Sequence, residues 1–460
     1  MYILAAMLTA CTPQETGGDD PTETGTMDTG TYEGDPWAEL PRGLKWVRTQ
    51  PMFLSGLTVM MDDPSDAVVD QYFDGFHANA AHFWERGAPT EVSGWQDSGR
   101  SDMRWLSWLL ADGTSGENGE LLGGVGANAP GRVGWQISDE PRSWDDIAQV
   151  EVGIAAVRAA DPDALIVLNL GYWWEADADE ATAYVAQLDV DVISNDHYSF
   201  NYGTYEFLER HRSAALQVNK PYWRYLKSYT DAGDDTYAKE TDRTWNALVG
   251  MVYGYTGHTW FVYQIDPVHG LSTSLYETTG AWSTAPNARW EKAAELNQWM
   301  LNLGQITTQL TSTDVRYIPF NAVYTPDLTT SWARGAGGDP YIQDIGPTNM
   351  GSGDFQEGVV GYFEDRRGET YIMLQNANHE SADWPLYTRD SADFKITFDF
   401  SQAPAKLSRD SVEVFDYRTG KVSDIALNRS GDSATLTTEI PAGEVFFFKY
   451  KTGAKWARQE

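Results

Sequence analysis

Val133-Gly-Trp-Gln-Ile-Ser138 runs into Asp139-Glu140-Pro141, then into a segment from Ser143 to Asp161-Pro162, and then into Leu165-Ile-Val-Leu168. The first and last pieces are short, apolar and bounded by polar or turn residues, which is how strands covered on both faces read. Between them Ser143 and Asp146 have the spacing of a helix cap. Ile147, Val150, Ile154 and Val157 fall at offsets 0, 3, 7 and 10, which places them on one face of a helix. Asp161-Pro162 stops that helix, because the residue before a proline avoids the helical region. Strand, helix and strand in this order predict a parallel βαβ unit.

The same alternation extends in both directions. Phe53–Val59 reads as a first strand, with a helix beginning near Pro64-Ser65, and Ala80–Trp84 as a second that ends at Glu85. Met103–Leu110 has a helical apolar pattern, so the third strand is expected around Leu121–Val125. Val133–Ser138 and Leu165–Leu168 are the fourth and fifth, and Val190–Ile193 is the sixth, ending at Asn195-Asp196-His197-Tyr198. Pro221–Leu226 and Thr259–Tyr263 complete a set of eight. Eight β/α units over residues 43–304, with no Gly-rich phosphate loop after the first strand, predict a (β/α)8 TIM barrel rather than an open doubly wound sheet. Residues 305–460 change texture: strand runs at 358–363, 369–374, 394–400, 412–415 and 445–450 are separated by turns such as Asp416–Gly420 and Pro441–Gly443. This predicts a small all-β sandwich, with Phe446–Phe448 in a central strand.

Charge and composition narrow the function. With 33 Lys+Arg against 67 Asp+Glu the net charge is −34, which argues against nucleic acid and against a membrane surface reached through a basic patch. The 19 Trp and 24 Tyr offer flat apolar faces with polar edges, suited to sugar rings. Cys11 is the sole cysteine, so no internal disulfide and no cysteine metal site is possible. The apolar Met1–Ala10 reads as a signal-peptide core, and Leu8-Thr9-Ala10-Cys11 resembles a bacterial lipobox, which implies lipidation at Cys11. Residues 12–36 hold seven Thr, five Gly and seven acids without one base, a composition that stays solvated, so 12–42 is expected to be a tether. The chain is thus expected to be exported, anchored at the cell envelope by its N-terminal lipid, and monomeric.

In a TIM barrel, chemistry sits at the C-terminal ends of the strands. Those ends carry Glu85, Asp139-Glu140, Tyr172–Glu175, Asp196–Tyr198, Lys227, Gln264 and Asp266. The segment Gly134–Pro141 resembles the end of strand four in the retaining TIM-barrel clan of glycoside hydrolases, where an Asn-Glu-Pro or Asp-Glu-Pro triplet presents the acid/base carboxylate. Asp-Pro-Asp before strand five, Val192–Tyr198 and Arg243–Gly254 extend that resemblance to a group of bacterial glycosidase-like barrels over roughly residues 50–303. It implies hydrolysis of an oligo- or polysaccharide by paired carboxylates, with Glu140 as the acid and its pKa raised by burial.

The clan's nucleophile is a Glu at the end of strand seven, where this chain has Lys227. Asp196 is therefore the expected second carboxylate, ahead of Asp266, Glu85 and Glu175. Its shorter side chain tilts the expectation toward an inverting pair, with Lys227 stabilising an ionised Asp196 or holding an acid group of the substrate. Asp139, Trp84, Trp174, His197, Tyr198, Lys227, Trp260 and Gln264 are candidates for binding the sugar. Seven scattered His with no paired spacing predict no catalytic metal, and no cofactor is expected. The departure at strand seven keeps a second reading open, a non-catalytic barrel that binds glycans at the cell surface. A lyase or amidohydrolase is disfavoured because no cluster of His ligands is evident.

Overall fold

The unit at residues 133–168 forms as its sequence dictates. Strand β4 (Arg132–Asp139) leads to a helix capped by Ser143, whose Oγ accepts from the Asp146 amide at 3.1 Å while Asp146 Oδ2 accepts from the Ser143 amide at 3.0 Å. This reciprocal pair satisfies two amides that the first turn leaves free. Trp135 Nε1 donates to Asp161 at 2.9 Å, tying the end of the helix back to the strand before it.

The computed structural model describes residues 36–58, 64–84, 88–115, 119–171, 178–229, 239–264, 286, 288–320, 325–335, 339–348, 356–380 and 391–458. Leu40–Glu460 belong to one compact unit. The barrel strands are β1 (Phe53–Thr58), β2 (Ala81–Phe83), β3 (Trp105–Leu109), β4 (Arg132–Asp139), β5 (Leu165–Leu170), β6 (Val192–Asn195), β7 (Tyr222–Lys227) and β8 (Gly257–Gln264). They close in sequence order, all parallel, with Phe53 of β1 opposite Gly257 of β8. The helices are α1 (Arg42–Thr49), α2 (Asp66–Asp70), α3 (Ala88–Asp97), α4 (Trp144–Ala160), α5 (Ala178–Gln187), α6 (Gly203–Gln217), α7 (Glu240–Tyr253) and α8 (Ala288–Thr307). The TIM barrel is thus present, with one correction inside it. Met103–Leu110, expected to be helical, supplies β3, and Leu121–Val125 holds a 3₁₀ turn instead of a strand. A short apolar run cannot choose between helix and strand by period alone. Here burial on both faces decides: Trp105 packs on Trp135 at 5.4 Å in the helix layer, while Leu106 fills the barrel interior.

The barrel is plugged at its N-terminal end. Phe53 and Trp223 stack at 4.6 Å, and Trp46 of α1 lies 5.7 Å from Trp223. Gly43 lets α1 approach this closely, since a Cβ there would sit 2.1 Å from the Asp191 carbonyl. Above the plug the interior turns polar: Ser55 bonds Thr259 at 2.9 Å and Tyr225 donates to Gln136 at 2.6 Å. Burial pushes the His82 imidazole down to about 3, so it lies neutral between Thr259 and Tyr225.

The remaining strands are β9 (Thr311–Phe320), β10 (Ile342–Pro347), β11 (Gln356–Glu364), β12 (Thr370–Asn376) and β13 (Ser391–Asp399). After them come β14 (Ser411–Asp416), β15 (Lys421–Ala426), β16 (Asn428–Ser430), β17 (Ser433–Pro441) and β18 (Val445–Tyr450). They form a sheet in the order β10-β13-β17-β16 and another in the order β15-β14-β18-β12-β11-β9, the expected sandwich. The phenylalanine run lies inside the larger sheet, and period-two alternation explains its composition. Phe446 and Phe448 join the sandwich core with Phe394 and Phe398, whereas Val445 and Phe447 join the core shared with the barrel. Between barrel and sandwich runs α7, buried along Asp242–Tyr253. The sandwich also ties down the residue before α6 and the first turn of α7 at the barrel's open end. Tyr202 donates to Glu357 at 2.5 Å, and His379 meets the buried Asp242 at 2.8 Å.

Candidate active site

The end of β4 is irregular where the chemistry is expected. Gln136 pairs with Val167 and Asp139 with Asn169, so β4 spends one residue more than β5 over the same stretch, a β-bulge. Ser138 and Glu140 take left-handed backbone angles, φ 58° and 43°. For residues with a side chain each such angle costs on the order of 1–3 kcal/mol and persists only where surroundings over-determine it. One such restraint is the Glu140 amide, which donates to the Asn169 carbonyl at 3.1 Å. The result aims the Glu140 side chain across the end of β5. Gly171 makes room for it, because a Cβ at that position would lie 2.6 Å from both Glu140 Cγ and Cδ.

Leaning this way, Glu140 reaches Asp196 at the end of β6 and shares a hydrogen bond with it. The two acids thus lie within hydrogen-bonding reach of each other at the mouth. Arg142, two residues on, donates from Nη2 to Glu140 Oε2 at 2.5 Å. Burial alone would raise the Glu140 pKa, but hydrogen bonds from Asp196 and Arg142 outweigh it and leave the carboxyl below its ordinary range. Asp196 goes the other way. Burial, the contact with Glu140 and the charge of Asp139 hold its pKa well above the usual range, outweighing a hydrogen bond from Asn169. The sequence expectation placed the raised pKa on Glu140; in the structure Glu140 is shifted down and Asp196 up.

Asp139 sits beside the pair, accepting from Asn169 Nδ2 at 2.8 Å and from Gln136 Nε2 at 3.4 Å. Through Gln136 it connects to Tyr225 and to the polar interior of the barrel. Tyr198, close enough to feel the charges of Asp196 and Asp139, belongs to a belt of half-buried aromatic rings. Trp84 lies 4.7 Å from Trp108 and 5.8 Å from Phe261, and Phe261 stacks near Tyr198 at 5.5 Å. Tyr198 continues to Tyr229 at 5.7 Å, over whose ring the Lys227 ammonium sits at 4.8 Å. Lys227 also lies over Phe200, at 5.9 Å.

Two expected sugar-binding residues face elsewhere. His197 is buried against α6, stacked on Phe207 at 4.2 Å, and burial with the nearby Arg224 and His211 pushes its pKa to about 3. Trp260 is fully buried and donates to Asn297 of α8 at 2.7 Å. Both errors have one cause: successive strand residues point to opposite sides, so Asp196 and Tyr198 face the mouth while His197 does not, and Phe261 does while Trp260 does not. Trp84, Tyr198, Asp139 and Lys227 line the mouth region. Cys11, Glu85, Trp174, Glu175, Asp266 and the side chain of Gln264 lie outside the described residues.

Sequence reading missed Asn169, Gly171, Arg142 and Trp108. Asn169 was legible by parity, since Leu165 and Val167 of the same strand point into the barrel. Trp108 was lost with the misread third strand. Nothing in the sequence pointed to Gly171 or Arg142. Among the described residues no three His, Cys, Asp or Glu side chains cluster so as to hold a metal ion.

Comparison with solved structures bears on the fold. A glycoside hydrolase family 5 protein from Bacteroides vulgatus superposes with a TM-score of 0.50 at 13% identity, over 89% of this chain and 92% of that one. A structure described as a glycoside hydrolase gives 0.48 at 13% identity, over 88% and 94%. Alpha-galactosidase I from Mortierella vinacea gives 0.44 at 10% identity, over 89% and 98%. At 13% identity the first of these shows a shared fold over nearly the whole of both chains. No family model matches the chain, and no curated protein matches its sequence.

Proposed function

We propose that the protein is a glycoside hydrolase acting on an oligo- or polysaccharide, with Glu140 and Asp196 as its carboxylate pair. The observation that carries this reading is the contact of two carboxyls from the ends of β4 and β6, with opposite pKa displacements, across from the Trp84–Phe261–Tyr198 belt. One acid that keeps its proton beside one that does not is what acid/base cleavage of a glycosidic bond requires. The rings supply flat apolar faces against which a sugar can stack. The test is release of reducing ends from a panel of polysaccharides and oligosaccharides. Glu140→Gln is expected to lower the rate at least ~10²-fold, with an unchanged unfolding midpoint. Release that persists within a few-fold in this variant overturns the assignment.

Lys227 at the end of β7, in place of a carboxylate, favours one other reading, a barrel that binds glycans without cleaving them. Saturable glycan binding with no release of reducing ends across the panel supports it. The proposal includes export and lipidation at Cys11. Its support is the apolar Met1–Ala10 followed by Leu8–Cys11 and an acidic, Thr-rich stretch. Cys11→Ser is expected to move the protein from the membrane fraction to the soluble one; equal partitioning of both forms counts against an anchor.

A further inference from the structure

We propose that Asp196 holds the single proton of the carboxylate pair and donates it in the reaction, and that Arg142 is the positioning residue that keeps Glu140 as the carboxylate. This rests on the hydrolase reading above and reverses the roles that the Asp-Glu-Pro resemblance implies.

Two carboxyls that share a hydrogen bond need a proton between them, because two ionised groups at that distance repel strongly. Which partner keeps the proton depends on what else each one touches. Glu140 Oε2 receives a charge-assisted bond from Arg142 at 2.5 Å, and Glu140 lies partly open, with a quarter of its side chain exposed. Asp196 is buried, takes part in no ion pair among the described residues, and its Oδ1 has no hydrogen-bond partner there. An ionised Asp196 would leave a charge in a poorly solvated place with Asp139 nearby, whereas an ionised Glu140 has a cation against it. Burial and the two neighbouring acids shift the Asp196 equilibrium in the same direction. Gly171 and the left-handed Glu140 backbone hold this arrangement, since both are needed for Glu140 to lie across β5.

The chemistry balances. Substrate entering between the carboxyls breaks their hydrogen bond and turns the Asp196 hydroxyl toward the glycosidic oxygen. The Asp196 proton passes to that oxygen as its bond to the anomeric carbon breaks. Glu140 takes a proton from a water whose oxygen forms the new bond to the same carbon. After product leaves, the carboxyls meet again and the proton returns from Glu140 to Asp196, restoring the starting state with one water consumed.

Two measurements on the whole protein test this. Carboxyl carbon NMR titration of protein labelled at Asp and Glu, assigned with Asp196→Asn and Glu140→Gln, reads the proton directly. Asp196 is expected to titrate above the ordinary carboxylate range and Glu140 below it. Arg142→Gln should bring the two closer and Arg142→Lys should restore part of the separation, which a purely structural role for Arg142 would not do. In the kinetic measurement, aryl glycosides are compared that differ in how much their leaving group needs a proton. Asp196→Asn should lose at least ~10²-fold on an unactivated leaving group and much less on a dinitrophenyl one, while Glu140→Gln loses as much on both. The reverse pattern, with Glu140→Gln spared on the activated substrate, or a Glu140 that titrates above Asp196, overturns the inference. A wild-type protein that cleaves no glycoside overturns the hydrolase reading instead, and with it donation by Asp196, while the titration still decides which carboxyl holds the proton.

Discussion

The two ends of the barrel are built from the same eight strands on opposite principles. At the N-terminal end Phe53, Trp223 and Trp46 stack into an apolar plug, and a second cation–π layer is added by Arg104, 4.9 Å from the Trp46 ring. At the C-terminal end three acids crowd together, and two residues beside them sit in left-handed conformations. One end is an apolar aromatic stack; the other crowds acids beside strained backbone. Crowded acids whose pKa values are displaced in opposite directions are what a reaction can use, so the contrast points to the mouth without appeal to any sequence motif. The separation also lets stability gained at the plug offset strain at the mouth.

The contrast can be broken from either side. Trp223→Ala removes the centre of the plug and is expected to cost about 3–5 kcal/mol of stability, read by denaturant unfolding. Hydrolysis per folded molecule should not change; a matching loss of activity would mean the two ends are not separable. Gly171→Ala is the converse. Its new Cβ collides with Glu140 at 2.6 Å, and a carboxyl displaced by about 1 Å can cost on the order of 10²-fold in rate. Stability should move little, because Glu140 can swing toward solvent.

A third expectation is a trend with pH. Asp196 has a folded pKa raised above its unfolded value of about 3.9, so its contribution to stability is fully present below that value and is lost as pH rises through the folded pKa. Asp196→Asn abolishes the loss, and its stability relative to wild type should therefore increase from acid to neutral pH. A constant difference across that window would place Asp196 in solvent. The smallest effect is expected for Arg142→Gln, whose ion pair is half-open to water: less than about 1 kcal/mol in stability, measured by thermal unfolding, against a clear change in the pH dependence of the rate.

Much of the architecture was legible because it is local. The capping box at Ser143 and Asp146 formed as the spacing predicts, and the end of β4 lies at the barrel mouth where Asp139-Glu140-Pro141 placed it. The phenylalanine run at Phe446–Phe448 became an interior strand because a continuous apolar run suits a sheet covered on both faces. The failures are equally specific. Trp105–Leu109 satisfied a helical period and a buried strand at once, and only the neighbours β2 and β4 settled it. His197 and Trp260 were one residue out of phase with the mouth, an error of parity that the exact strand register removes.

The sequence by itself determined that strands and helices alternate into a barrel, that a sandwich follows, and that Glu140 and Asp196 stand at strand ends. Those features depend on residues within one or two turns of each other, where spacing and propensity act directly. Only the tertiary structure brings the two acids together and displaces their pKa values in opposite directions. That outcome rests on a bulge between β4 and β5, the absence of a side chain at Gly171, the reach of Arg142 and the burial of Asp196. Each of these except the reach of Arg142 joins residues from different strands, and a proton's position follows the sum of such fields rather than the identity of the group that carries it.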